Sequence, residues 1–212
     1  MSSRSETDPV ASPSLWWDGL VRGHAHPPLE TDATAQYAIV GGGYTGLWTA
    51  YFLKLIQPDA DIVLVEAQRI GHGASGRNGG WLMGALEGCA AFVDDTGVLP
   101  ITVRQQLTQL VLQAGDVLEK EGIDCDFYHG GCVMAAARHD IQVGRARGML
   151  DDFRRLGFTE DDYHWLTPQE LGERIRVSNP GGAVFTPHVA RIHPAKLVTG
   201  LAAVVEALGV RI

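Results

Sequence analysis

The chain has 212 residues, 45% of them hydrophobic and 20% charged, with a formal net charge of -8 at neutral pH. That apolar content suffices for the core of one large or two small domains, while the acidic balance, with acids dispersed in pairs such as Asp94-Asp95 and Asp151-Asp152, excludes a nucleic-acid surface. No run of about 18 apolar residues marks a membrane span, and Cys89, Cys125 and Cys132, lacking CxxC spacing, support neither a disulfide framework nor a metal site, which fits a reducing cytoplasm.

Residues 1–35 are expected to form an extended arm, because Pro9, Pro13, Pro27 and Pro28 interrupt every periodic pattern and no apolar leader precedes them. The pair Trp16-Trp17 is expected to pack onto the domain surface.

From Tyr37 the pattern becomes specific. Tyr37 to Val40 reads as a strand, and Gly41-Gly42-Gly43-Tyr44-Thr45-Gly46 follows it at once. Gly41 permits the tight turn off that strand, Gly43 lets backbone approach a pyrophosphate, and Gly46 lets a helix pack close. The helix predicted from Tyr44 is apolar nearly all round from Leu47 to Ile56, as if buried between a sheet and another layer. Its first amides, those of Tyr44 and Thr45 among them, and its positive dipole end favour an anion. The apolar run Ile62 to Val65 then delivers Glu66, with Ala67 beside it, to the end of a second strand about twenty residues beyond Gly46. A carboxylate there accepts hydrogen bonds from ribose hydroxyls, so the βαβ unit predicts an adenine dinucleotide.

Next comes a Gly-rich segment, Gly71 to Gly84, too long for a mere connector. Pro100 is expected to open a helix with Val103, Leu107, Leu110, Ala114 and Val117 on one face, closed by Gly122. Gly131 to Ala135 reads as a strand, and Ala146, Met149, Leu150, Phe153 and Leu156 mark a further helix stopped by Gly157. Thr167-Pro168-Gln169-Glu170 is a capping box that starts a short helix. A Gly/Pro-rich loop is expected from Asn179 to Pro187, and a helix from Pro194 with Leu197, Leu201, Val204 and Leu208 on its face. Val210-Arg211-Ile212 reads as the opening of a strand that enters the parallel sheet and is then cut.

On the motifs GGGYTG at 41–46, Glu66, and GHGASGRNGG at 71–80, the chain resembles the D-amino-acid oxidase and glycine oxidase superfamily of FAD-dependent oxidoreductases, and looks most like its gamma-glutamylputrescine oxidase-like members. The likeness runs from about Leu15 through His193-Pro194-Ala195-Lys196-Leu197 to the end, and matches the N-terminal half of a typical member. It implies an α/β fold: a Rossmann-like, glutathione-reductase-like FAD-binding domain with part of a second, α+β substrate domain. The implied divisions are the arm at 1–35, the FAD-binding unit and flavin loop at 36–98, a partial substrate region at 99–190, and a return to the FAD-binding domain at 191–212.

By the same resemblance Ser75, Arg77, Asn78 and Gly79 lie along the flavin, joining Gly41, Gly43, Tyr44, Thr45, Gly46, Glu66 and Ala67 as the cofactor set. The expected cofactor is FAD, and the expected partner is a small amine or amino acid whose C–N bond is oxidised by hydride transfer to flavin, with oxygen reduced to hydrogen peroxide. Much of the substrate pocket falls in the family's other half, so no catalytic residue is named. Two other readings stay open: a non-catalytic chain, or subunit completed by a second chain, and a nicotinamide-dependent dehydrogenase, against which the Gly71–Gly80 segment argues.

Overall fold

The computed structural model describes residues 14–18, 20, 26–85 and 88–212; the rest of the expected arm, and the Cys89 side chain, lie outside the described residues. In chain order the elements are β1 (Tyr37–Val40), α1 (Tyr44–Ile56), β2 (Ile62–Val65), β3 (Trp81–Met83), α2 (Ile101–Lys120), β4 (Tyr128–His129), β5 (Cys132–Ala135), α3 (Asp140–Arg155), β6 (His164–Leu166), α4 (Pro168–Arg174), β7 (Ala183–Thr186), β8 (Val189–Arg191) and α5 (Pro194–Ala207). They fall into two compact units: one from the described residues of Met1–Gly80 with Glu119–Asp126 and His193–Ile212, the other from Trp81–Leu118 and Phe127–Ile192.

In the first unit β1 and β2 pair in parallel, from Tyr37 opposite Ile62 to Val40 opposite Val65. A right-twisted strand pair of this kind needs a crossover, and α1 supplies it. Arg211 adds a parallel bridge to Val63: the Leu64 N–H donates to its carbonyl at 2.8 Å and its own N–H donates to the Ile62 carbonyl at 3.0 Å. The expected strand opening therefore does enter the sheet, on the edge of β2 away from β1. The core joins Leu47, Ala50 and Tyr51 of α1, Ile62 and Leu64 of β2, and Leu197, Val198, Leu201, Ala202 and Val205 of α5. Each large aliphatic side chain buried there contributes about 1.5–3 kcal/mol.

Two helix faces differ from their sequence reading. On α5 the buried stripe is wider and rotated: Val198, Ala202 and Val205 are buried, whereas Val204 and Leu208 are only half-buried. α5 packs against α1 and also against the 3-10 turns at Leu15–Trp17 and Ala74–Gly76, so more than one side of it is covered. On α1, expected to be enclosed all round, Phe52, Leu55 and Ile56 remain exposed, Ile56 by 75%. Among the described residues no layer covers that side.

The second unit is built of two antiparallel sheets, ordered β3-β8-β4 and β5-β7-β6. The expected loop from Asn179 to Pro187 is a correction: it contains β7, the central strand of its sheet, with all four residues buried. The four residues between Gly182 and Pro187, three apolar ones and Thr186, are too short a run to show a period, and the pairing partners β5 and β6 are not adjacent in sequence. β3 likewise lies inside the stretch read as the Gly71–Gly84 loop. On α2 the buried residues are Val111 and Leu118, and Leu110 is 46% exposed, so the face is turned from the expected one. Val103 and Leu107 of that helix pack with Met149 and Phe153 of α3 and with Leu156, which caps it, around Leu99, Leu150, Phe158, Tyr163 and Val184. Phe153 stacks on Tyr163 at 3.8 Å. At α4 the capping box forms as read: the Thr167 N–H donates to the Glu170 carboxylate at 2.7 Å and the Glu170 N–H to the Thr167 hydroxyl at 3.3 Å. No helix among the described residues is long and apolar enough to cross a membrane.

Candidate cofactor-binding site

The turn after β1 is shaped by backbone that other residues could not adopt. Gly41 has φ +108°, in the region that favours glycine, and its N–H donates to the Val65 carbonyl at 2.8 Å. A Cβ at Gly46 would stand 2.1 Å from the Gly41 carbonyl oxygen, so the first turn of α1 closes directly on the turn it follows. The half-buried Glu66 faces the same turn. One of its carboxylate oxygens accepts the Gly42 N–H at 2.7 Å and the other the Gln68 N–H at 3.0 Å. Charge-assisted bonds of this type are the stronger class of hydrogen bond.

α1 starts at Tyr44 behind Gly43, whose side chain can offer no cap. The second glycine-rich segment supplies an acceptor instead: the Ser75 hydroxyl oxygen takes the Tyr44 N–H at 2.9 Å. A Cβ at Gly43 would lie 2.8 Å from that oxygen. An oxygen thus already sits where the amides and positive dipole end of α1 favour an anion. The two segments are tied again by the Gly71 N–H, which donates to the Gly42 carbonyl at 2.9 Å.

Within the second segment the polar side chains brace the backbone. Arg77 donates through Nε to the His72 carbonyl at 2.7 Å. The Asn78 amide donates to the Ser75 and Ala74 carbonyls at 3.0 and 3.3 Å and accepts the Gly80 N–H at 2.9 Å. The Tyr44 hydroxyl donates to the Pro194 carbonyl at 3.0 Å. Burial pushes its pKa up to about 12, a rise that the Asn78 hydrogen bond opposes and the nearby Cys125 thiol increases. His193 caps α5, its Nδ1 accepting the Lys196 N–H at 3.3 Å.

Of the residues read from the sequence, Gly41, Gly43, Tyr44, Gly46, Glu66 and Ser75 converge on the start of α1, and Arg77, Asn78 and Gly79 follow directly on the adjoining segment. Thr45, Ala67 and Gly79 are exposed. Sequence reasoning passed over Gly42, whose N–H holds Glu66 and whose Cβ would fall 2.4 Å from Ile70 Cδ1. The fingerprint counts only the glycines on either side of it. It also passed over the bonds made by Trp16 and Trp17, whose indole N–H groups reach the carbonyls of Asn78 and Gly76. The adjacent indoles were the signal available, since a buried indole N–H needs an acceptor.

The model of the FAD-dependent oxidoreductase family matches residues 36–212, the greater part of the chain and the whole of this site. The chain belongs to that family. Among curated relatives, the gamma-glutamylputrescine oxidoreductase of Escherichia coli is 28% identical over 188 residues, covering 87% of this chain and 42% of that protein. Glycine oxidase from Bacillus cereus superposes with a TM-score of 0.64 at 22% identity over 84% of this chain and 46% of its own. The L-amino acid deaminase of Proteus myxofaciens, solved with anthranilate, gives 0.65 at 16% identity, covering 89% and 40%. The two structures establish a shared fold. This family member spans less than half the length of each of these three proteins.

Proposed function

We propose that the first unit binds FAD as the cofactor-holding part of an amine or amino-acid oxidase. The observation that carries this reading is the meeting of Ser75 with the Tyr44 amide, beside Glu66 on the Gly42 amide. One site therefore offers a helix start suited to a diphosphate and a carboxylate suited to a ribose, as an adenine dinucleotide requires. Gly41, Gly43, Tyr44, Thr45 and Gly46 would hold the diphosphate, Glu66 and Ala67 the ribose end, and Ser75, Arg77, Asn78 and Gly79 the flavin side. Bound FAD would supply the hydride acceptor for oxidation of a substrate C–N bond, with electrons passing on to oxygen as hydrogen peroxide.

What these residues do is bind and position. The α1 amides fix anionic oxygens, Glu66 selects against a 2′-phosphate by repulsion, and the braced 75–80 segment presents backbone that needs little further ordering. Amine turnover is proposed for these residues together with the portion that completes the relatives' length, on the same chain or on a second one. The amine-acting names of the relatives support that substrate class. The test is purification followed by desalting and a visible spectrum, then a peroxide assay across amines and amino acids. Flavin absorbance that stays with the protein, or returns on adding FAD, is expected. A colourless protein that ignores FAD and binds NAD overturns the reading in favour of a nicotinamide enzyme.

A further inference from the structure

We infer that Trp16 and Trp17 form a clasp that holds the 75–80 segment in its cofactor-ready shape, making both tryptophans positioning residues for FAD; this rests on the reading in the preceding section. The two indoles come from one 3-10 turn, Leu15–Trp17. Trp16 Nε1 donates to the Asn78 carbonyl at 2.7 Å and Trp17 Nε1 to the Gly76 carbonyl at 3.1 Å, across 62 and 59 residues of chain. The Ser14 hydroxyl adds a third bond, to the Gly76 carbonyl, at 3.2 Å.

The seat of each indole is built from both sides. Trp16 meets the His193 ring edge-on at 5.1 Å, which ties it to the cap of α5. Over the Trp17 ring lies the Arg69 guanidinium at 4.7 Å, a cation–π contact, and the buried Arg69 Nε has no hydrogen-bond partner among the described residues. A Cβ at Gly76 would stand 2.7 Å from Trp17 Cζ2, and one at Gly71 would stand 3.3 Å from it. The glycines of the segment thus make room for the indole as well as for a cofactor.

Holding these carbonyls matters because each of Gly71, Gly73, Gly76, Gly79 and Gly80 has more backbone freedom to lose than any other residue type would at its position. The peptide plane adds a direction. In a trans peptide the N–H lies opposite the preceding carbonyl, so fixing the Asn78 carbonyl on Trp16 turns the Gly79 N–H the other way. Gly79 is exposed, and its amide belongs to the set proposed to line the flavin. With the clasp closed, FAD meets an ordered segment; without it, binding must order the segment first.

The test compares wild type with Trp16→Phe/Trp17→Phe, which removes both N–H donors while leaving a smaller aromatic ring at each position, in amide hydrogen exchange over residues 71–80 and in FAD titration by quenching of flavin fluorescence. Faster exchange confined to 71–80 in the apo-protein, with FAD affinity weakened about tenfold and full occupancy restored at high FAD, is expected from the loss of two net hydrogen bonds. Ser14→Ala serves as a milder variant, removing one bond, and is expected to move both readouts the same way by a smaller factor should the double variant not fold. Unchanged exchange at 71–80 overturns the clasp. Faster exchange with unchanged FAD affinity also overturns it, because the contacts would then serve stability alone. A wild-type protein that takes up no FAD overturns the cofactor reading and the positioning role with it, and the exchange comparison reports separately whether the indoles order the segment.

Discussion

The Ser75 hydroxyl oxygen accepts the Tyr44 backbone N–H at 2.9 Å across 31 residues of chain. This bond does for α1 what an N-cap side chain does in an ordinary helix, and it draws the second glycine-rich segment onto the first. Ser75→Ala leaves the Tyr44 amide without that acceptor and is expected to destabilise the protein by about 1 kcal/mol. FAD affinity should fall severalfold at the same time. Urea unfolding paired with a flavin titration checks both, and a variant matching wild type in each would remove Ser75 from the site.

Gly46→Ala places a methyl group 2.1 Å from the Gly41 carbonyl oxygen. Neither atom is the flexible end of a side chain, so the backbone must move, at a cost of about 3 kcal/mol. Gly73→Ala is the matched control: its φ is -76° and a Cβ there meets nothing within 4 Å, so a change within about 0.5 kcal/mol is expected. Thermal unfolding of the two variants side by side separates steric closure from glycine content.

Glu66 accepts two backbone N–H groups, from Gly42 and Gln68. Glu66→Ala leaves the part-buried Gly42 N–H unpaired, while the exposed Gln68 N–H turns to water, and should cost about 1–3 kcal/mol. Glu66→Gln keeps an acceptor oxygen and should lose less. The order of FAD affinity expected is Glu, then Gln, then Ala, measured by equilibrium titration; an alanine variant that binds FAD as well as wild type would contradict the ribose assignment.

Tyr44 gives a pH signature. Burial first, with the Cys125 contribution added and the Asn78 hydrogen bond opposing, raises its phenol from 10.0 to about 12. Between those values the unfolded chain has released the proton while the folded chain retains it, so the folded state binds more protons and stability falls with rising pH. The contribution is complete below pH 10 and gone above about pH 12. Allowing for partial solvation of the ring, the loss is on the order of 1 kcal/mol. Tyr44→Phe should lack this alkaline decline, which denaturant midpoints across that range would show.

In the second unit, Thr167→Ala breaks the capping box with Glu170 and should lower stability by about 1 kcal/mol. FAD titration should be unaffected. A matching loss of FAD affinity would show that the two units are coupled in binding.

Sequence alone determined the βαβ unit, because its signals are local: strand, turn, helix and acid follow one another within about thirty residues, and only glycine satisfies φ +108° at position 41 or the close approach at position 46. Capping at Thr167 and Glu170 was legible for the same reason. Tertiary structure alone decided that Ala183–Thr186 is a central strand, that α5 buries Val198 and Val205 in preference to Val204 and Leu208, and that two indoles grip Asn78 and Gly76. A strand of four residues has too few positions to show a period, and a helix touched on several sides has no single apolar stripe to read. A bond spanning sixty residues leaves no spacing rule in the chain, since its length and direction exist only after both segments have folded.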